Sequence, residues 1–194
     1  MKPIAKAVAI GLAATLPFAA LAAEVAGVKL DDKIRIAPNA PELVLNGAGV
    51  RTRIILKVYV AGLYLPEKKG TTADVLALGG AKRIAMAMLR DLTAQQLTGA
   101  LNDGFSANNA PADQDRYKAP LAELTAIMNA LGEAKKGDVI ALDYVPDVGT
   151  RVLLNGVEKG KPIADEGFYR ALLKVWLGDR PVDSDLKKGL LGQS

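Results

Sequence analysis

Residues 51–65 contain no proline, mix β-branched and aromatic side chains, and end at Pro66. A run of that composition is a strand candidate, the longest in the chain, and whatever fold forms must accommodate it in a sheet. Successive side chains on a strand project to opposite faces, so the run sorts into two sets. Thr52, Ile54, Leu56, Val58 and Val60 share one face, which is largely apolar. Arg51, Arg53, Ile55, Lys57, Tyr59, Ala61 and Leu63 share the other, where cations and a phenol alternate with apolar residues. On the strand pattern alone the second face reads as a solvent face with exposed arginines. The alternative is a cleft over the sheet with one of these arginines at its base.

Shorter strands are expected at residues 33–37, 42–45, 82–89, 138–145 and 150–154, the last two paired across a turn at residues 146–149. Together they make a mainly antiparallel sheet. Helices are marked more sharply. Thr93 and Gln96 form a capping box, with Leu92 and Leu97 as its hydrophobic staple. A second helix has Pro120 in its first turn, carries Leu121, Leu124, Met128 and Leu131 on one stripe, and stops at Gly132. A third, over residues 165–177, carries Phe168, Leu172, Val175 and Trp176 and stops at Gly178; a short helix capped by Asp183 follows. The expectation is a layer of helices on one face of the sheet.

The chain opens on Lys2 and Lys6, continues to residue 22 without another charge, and sets Ala20, Leu21 and Ala22 before Glu24. That is the layout of a cleavable secretory signal: a positive start, an apolar stretch interrupted by Pro17, and a small-x-small box. A transmembrane anchor needs ~20 apolar residues, more than this segment holds before Glu24 closes it. Residues 1–22 are therefore expected to be removed, leaving residues 23–194 as one exported domain with no stable membrane insertion. A Gram-negative periplasm is the simplest location. Loss of two lysines lowers the net charge from +4 to +2. With zero Cys the domain has no disulfides and relies on packing.

Zero His and zero Cys also remove the usual zinc and copper ligand sets and the Ser/His and Cys/His nucleophile pairs. No phosphate loop or dinucleotide fingerprint is present, since Gly47 and Gly49 are followed by Val50, Arg51 and Thr52. No cofactor and no metal are expected. Lys135/Lys136 and Lys187/Lys188 are small basic groups balanced by acids, and aromatics are too few for base stacking, so no nucleic-acid partner is expected.

Two blocks of sequence carry a family resemblance. GAGVR, residues 47–51, followed by KVYVAGLYL, residues 57–65, resembles the opening strands of the chalcone isomerase-like superfamily. FYRALLKVWLGDRPVDSDLKKGLLG, residues 168–192, resembles its closing helix, glycine-acid turn and final helix. The blocks bracket residues 43–192 in the expected order, and they resemble the short secreted bacterial members rather than the plant enzymes. The resemblance implies an α+β, open-faced β-sandwich: a large antiparallel sheet covered by helices, with an apolar cleft between them and no cofactor.

It also implies two possible roles. One branch of the family closes a flavanone ring on a phenolic substrate, whereas a sister branch binds fatty acids without chemistry. Arg51 falls on the family's arginine, which orients an anionic ligand in both. Tyr59 stands where the isomerases use a threonine, and a tyrosine there is similar to the fatty-acid-binding branch. The isomerases' tyrosine and asparagine on the first cleft helix fall near Leu97 and Gly104, and a hydroxyl residue of the closing helix falls at Val175. Asn102 is the nearest amide. These departures set apolar groups around a retained guanidinium, whose planar fork can hold a carboxylate through two hydrogen bonds. A buried arginine without an anion is costly, so a ligand or an internal acid must accompany it. The sequence thus points to a non-catalytic protein that binds a fatty acid or similar amphipathic carboxylate on Arg51 and Tyr59. Two alternatives remain: an intramolecular lyase or isomerase using the same pair, and a structural or assembly partner in the envelope. A cleft filled by the protein's own side chains, with an apolar patch exposed elsewhere, would favour the partner.

The eight residue steps from Arg51 to Tyr59 would separate them by ~26 Å on a straight strand. If they share a ligand, the chain must turn back, and a hairpin is expected near residues 49–53.

Overall fold

The computed structural model describes residues 23–38 and 40–193, so the signal expected at residues 1–22 lies outside the described residues. In chain order the elements are β1 (Ala23–Val25), β2 (Val28–Leu30), β3 (Lys33–Ile34), β4 (Leu43–Arg53), β5 (Leu56–Leu65), α1 (Thr72–Ala77), β6 (Lys82–Met88), β7 (Leu92–Thr93), α2 (Ala94–Asn108), α3 (Pro111–Arg116), α4 (Lys118–Ala130), β8 (Glu133–Ala134), β9 (Val139–Val145), β10 (Gly149–Leu154), β11 (Val157–Ile163), α5 (Glu166–Leu177) and α6 (Ser184–Leu190). Seven strands form one antiparallel sheet in the order β11-β10-β9-β6-β5-β4-β3.

Local chemistry sets the helix ends. The Gln96 amide donates to Thr93 Oγ1 at 3.2 Å while the Thr93 amide donates to Gln96 Oε1 at 3.0 Å, closing the capping box of α2. Asp165 Oδ1 accepts from the amides of Gly167 and Phe168, and Asp183 Oδ1 does the same for Asp185 and Leu186. Each carboxylate satisfies two amides that the first helical turn would otherwise leave unpaired.

The sheet buries both faces unequally. On one side Leu63, Ile84, Met86 and Leu142 pack under Phe105, Leu124, Phe168 and Leu172 from α2, α4 and α5. On the other, Leu43, Leu45, Val60 and Tyr64 meet Leu30 and Ile36 from the N-terminal segment. The second side also holds a buried charge cluster. Asp143, fully buried, accepts from Arg83 Nη2 at 2.7 Å and Arg151 Nη2 at 3.2 Å. A carboxylate removed from water in that way is tolerable only because both arginines answer it.

The expected sheet and helical layer are present; the long run differs. Residues 51–65 are not one strand, and the hairpin turn is not at residues 49–53: it falls at Ile54 and Ile55, between β4 and β5. Strand β4 therefore begins at the 42–45 segment and continues through GAGVR. The predicted 33–37 strand shrinks to Lys33–Ile34. At the turn Ile54 takes φ +60°, a conformation that sterics disfavour for a β-branched residue. Val58 is passed over by the register between Arg51↔Tyr59 and Thr52↔Lys57, a bulge that also disturbs the two-face sorting. Thr52, Ile54 and Leu56 are exposed at the tip, whereas Tyr59, Ala61 and Leu63 lie buried beneath the helices. The solvent-face reading fails for that part of the run because α2 and α5 cover it.

Candidate functional site

The hairpin makes Arg51 and Tyr59 direct cross-strand partners. Straight-strand separation is thereby replaced by side-by-side placement on the helix-covered face, with the Arg51 guanidinium carbon 5.5 Å from the Tyr59 ring centroid. Tyr59 is 2% exposed, and its hydroxyl accepts from Trp176 Nε1 on α5 at 2.9 Å. Burial raises the Tyr59 phenol above its ordinary value of 10, outweighing the opposing pull of Arg51 and the Trp176 hydrogen bond. The phenol therefore stays protonated through the neutral range, and with Trp176 donating to its oxygen its own proton is available to an acceptor.

Arg51 is half-buried, and its Nε is buried with no hydrogen-bond partner among the described residues. No acid answers it within ion-pair distance among the described residues. Asp183 comes close to the same strand, but its Oδ2 accepts from the Thr52 amide at 2.8 Å and its Oδ1 caps α6.

Three spaces meet at this arginine. Inward is a narrow slot of about 30 Å³ lined by Arg51, Tyr59, Met86, Leu97, Leu101, Met128, Leu142, Val175 and Trp176. Beneath the hairpin tip lies a cleft of about 250 Å³, walled by Ile54, Leu56, Val58, Leu92 and Leu97, with Arg51, Arg53 and Arg90 around it. A groove of about 490 Å³ runs along the outer side of α2 from Arg53 past Asp103 and Gly104 to Arg180.

Leu97 and Val175 thus line the slot with Arg51 and Tyr59, while Gly104 lies behind Val175 and faces the outer groove. A Cβ on Gly104 would come within 2.8 Å of Val175 Cγ1, so glycine lets α2 and α5 approach closely. Asn102 is turned away, accepting from Thr125 Oγ1 at 3.2 Å in a separate concavity between α2 and α4. Trp176 and Arg90 were not picked out as site residues by the sequence. Trp176 reads there as one member of an apolar stripe, and its link to Tyr59 spans 117 positions. Arg90 carries no local signal; it is brought beside β5 when the Leu89 amide donates to the Val58 carbonyl at 3.0 Å. Arg53, read as surface, is exposed and also edges both outer spaces.

Among the described residues no cluster of three His, Cys, Asp or Glu could hold a metal ion, and no helix is long and apolar enough to cross a membrane.

An antiparallel sheet roofed by helices, opening at an arginine between the β4–β5 hairpin and the first long helix, defines an open-faced sandwich. The chain belongs to the chalcone isomerase-like family, whose model matches residues 22–192. Its fold is similar to that of a solved Arabidopsis thaliana fatty-acid binding protein, with TM-score 0.63 and 16% identity over 85% of this chain and 92% of that one. No curated protein matches it in sequence.

Proposed function

We propose that the protein binds a fatty acid or similar amphipathic carboxylate without transforming it, the head group on Arg51 and Tyr59 and the chain in the apolar slot and cleft. The observation that carries this reading is the buried, unpartnered Arg51 Nε beside a protonated Tyr59 at the mouth of an apolar space. A carboxylate supplies the missing acceptor, taking charge-assisted hydrogen bonds from the guanidinium and one from the phenol. The similarly folded Arabidopsis protein being a fatty-acid binding protein supports the same ligand class. Chemistry is disfavoured by the side chains present. Leu97, Gly104 and Val175 occupy the positions matched to the isomerases' polar groups, and a phenol held neutral by burial is a poor base. The signal-like segment at residues 1–22 supports export to the periplasm, and intact mass of the recovered protein checks it: a chain retaining Met1 would refute that location.

Calorimetric titration with a long-chain fatty acid tests the anchor. Arg51→Ala should weaken binding by ~1.5–3 kcal/mol, the range for a hydrogen bond to a charged group. Arg53→Ala, exposed at the edge of the cleft, should cost under ~1 kcal/mol. Equal effects of the two, or none from Arg51, would remove the proposed anchor.

One observation favours a second reading. At about 30 Å³ the slot holds little more than a water molecule, whereas small-molecule pockets run to ~300 Å³ and above. A slot filled by its own side chains suits an envelope binding partner that carries no small ligand. Absence of any fatty-acid heat signal in the wild-type protein would favour it.

A further inference from the structure

The hairpin tip is apolar where the fold leaves it largely uncovered. Ile54 is 92% exposed, Ile55 85% and Leu56 51%, three consecutive large side chains at the end of the β4–β5 hairpin. Scattered exposed apolar residues are ordinary, but a contiguous group at a protruding tip marks a contact surface. The turn does not require them. Of its two central residues only Ile54 has positive φ, and glycine is the usual occupant of such a position. Isoleucine there is strained and exposed together; its place on the cleft wall shields little of it, and Ile55 lines none of the three spaces.

Cations surround the tip. Arg53 precedes the turn, Lys57 stands opposite Thr52, and Arg90 and Arg51 edge the cleft beneath Ile54 and Leu56. Arg53, Lys57 and Arg90 are exposed, and none of the four takes part in an ion pair among the described residues. We infer that the hairpin tip docks on an anionic lipid surface, with Ile54, Ile55 and Leu56 entering the acyl boundary and Arg53, Lys57 and Arg90 meeting the phosphates.

The layering favours lipid over protein. An interfacial anchor needs an apolar end with basic residues set back along its flanks, whose long stems keep their charges at head-group level. A protein partner of ordinary stability buries ~800 Å² per side, more than three side chains at a hairpin tip offer. Docking would also press the mouth at Arg51 against the bilayer, where an amphipathic acid could pass from membrane to cleft. That consequence rests on the proposed acid binding; the docking does not.

Flotation with vesicles of phosphatidylglycerol and phosphatidylcholine, against phosphatidylcholine alone, tests the inference. The protein is taken as recovered from cells, its N-terminus fixed by intact mass and shared by all variants, so that residues 1–22 contribute equally to each. Binding should require the anionic lipid, weaken as salt is raised, and fall by ~10-fold or more in Ile55→Asn and by ~5-fold in Lys57→Gln. Ile54→Asn should lose vesicle binding while melting no lower than wild type, because asparagine tolerates positive φ; a fold defect is thus separated from a docking defect. Neither Ile55 nor Lys57 lines the three spaces, so both variants should keep any fatty-acid titration measured without vesicles. Loss of the acid titration with docking intact would remove the proposed function and leave this inference standing. Equal binding to neutral vesicles, indifference to salt and to all three variants, a dimer that Ile55→Asn dissolves, or a co-purifying protein that it releases would each overturn the inference.

Discussion

Lys82 is 1% exposed at the start of β6, its Nζ donating to the Gly80 carbonyl at 3.3 Å and lying 5.7 Å from the Tyr144 ring centroid. Burial lowers its pKa from 10.5 to about 8, with Glu166 opposing that shift and Arg170 adding to it. A lysine depressed in the folded state binds fewer protons folded than unfolded between those two values, so stability should rise with pH from about 8 towards 10.5. Below pH 8 both states hold the proton and the cost of the buried charge stands in full. The buried phenols act in the opposite sense only above pH 10; Tyr64, raised to about 12 chiefly by burial, is the clearest of them. Denaturant unfolding at pH 7, 8, 9 and 10 should show the wild-type protein gaining stability over that span and Lys82→Met lacking the gain. Parallel profiles would mean that Lys82 reaches water more freely than its burial indicates. The same desolvation that depresses this ammonium keeps the Tyr59 phenol neutral, so one physical cause fixes both the stability profile and the hydrogen-bond donor at the site.

At the scale of elements, the GAGVR segment is a docking surface for α6 as well as a strand. A Cβ on Gly47 would collide with the Gly189 carbonyl and lie 2.8 Å from that of Leu190, and one on Gly49 would sit 3.2 Å from Leu186 Cδ1. Asn46 locks the contact, its Nδ2 donating to the Leu190 carbonyl at 2.7 Å while its Oδ1 accepts from the Lys69 amide at 2.6 Å. Gly47→Ala should destabilise by at least ~1–3 kcal/mol, the cost of overpacking against a neighbour that cannot retreat. Gly99→Ala, in α2 with open space around it, should stabilise by ~0.5–1 kcal/mol by removing glycine from a helix interior. Equilibrium unfolding measures both, and a neutral Gly47→Ala would show that α6 is loosely held. Legibility of the elements follows from how local their signals are. The caps at Thr93 and Asp183 and the start of the third helix at residue 165 were readable because a few adjacent residues define them. The hairpin turn was misplaced because Ile54 and Ile55 offer none of the Gly, Pro, Asn or Asp punctuation by which turns are read. Strand β11 has exposed residues at most positions and little apolar alternation, so it gave no strand signal. At the site, Arg51 and Tyr59 were legible through the family resemblance, and their pairing through the demand that the chain turn back. Trp176 and Arg90 reach the site only through tertiary packing.

Across the whole molecule, the slot is set by how closely the helix layer sits on the sheet. Leu101 from α2, Met128 from α4 and Val175 from α5 meet Met86 and Leu142 from the sheet with about 30 Å³ between them. A long acyl chain therefore enters only if the layer lifts, and its apparent affinity is reduced by the cost of that opening. Leu101 is 7% exposed and lies in the helix-side core, so Leu101→Ala should destabilise the free protein by ~2–5 kcal/mol through lost burial and a residual cavity. The same cavity gives the chain space that no helix movement need supply. Leu101→Ala should then bind a long-chain fatty acid more tightly than wild type, with a larger gain for longer chains, and bound acid should raise its Tm more than it raises that of the wild type. Thermal melts with and without acid, beside calorimetry over a series of chain lengths, measure both halves. A less stable Leu101→Ala with unchanged affinity at every chain length would place the acyl chain outside the slot, in the cleft under the hairpin tip. A variant and a wild type that both bind no acid would return the slot to the core and leave Arg51 without its proposed ligand.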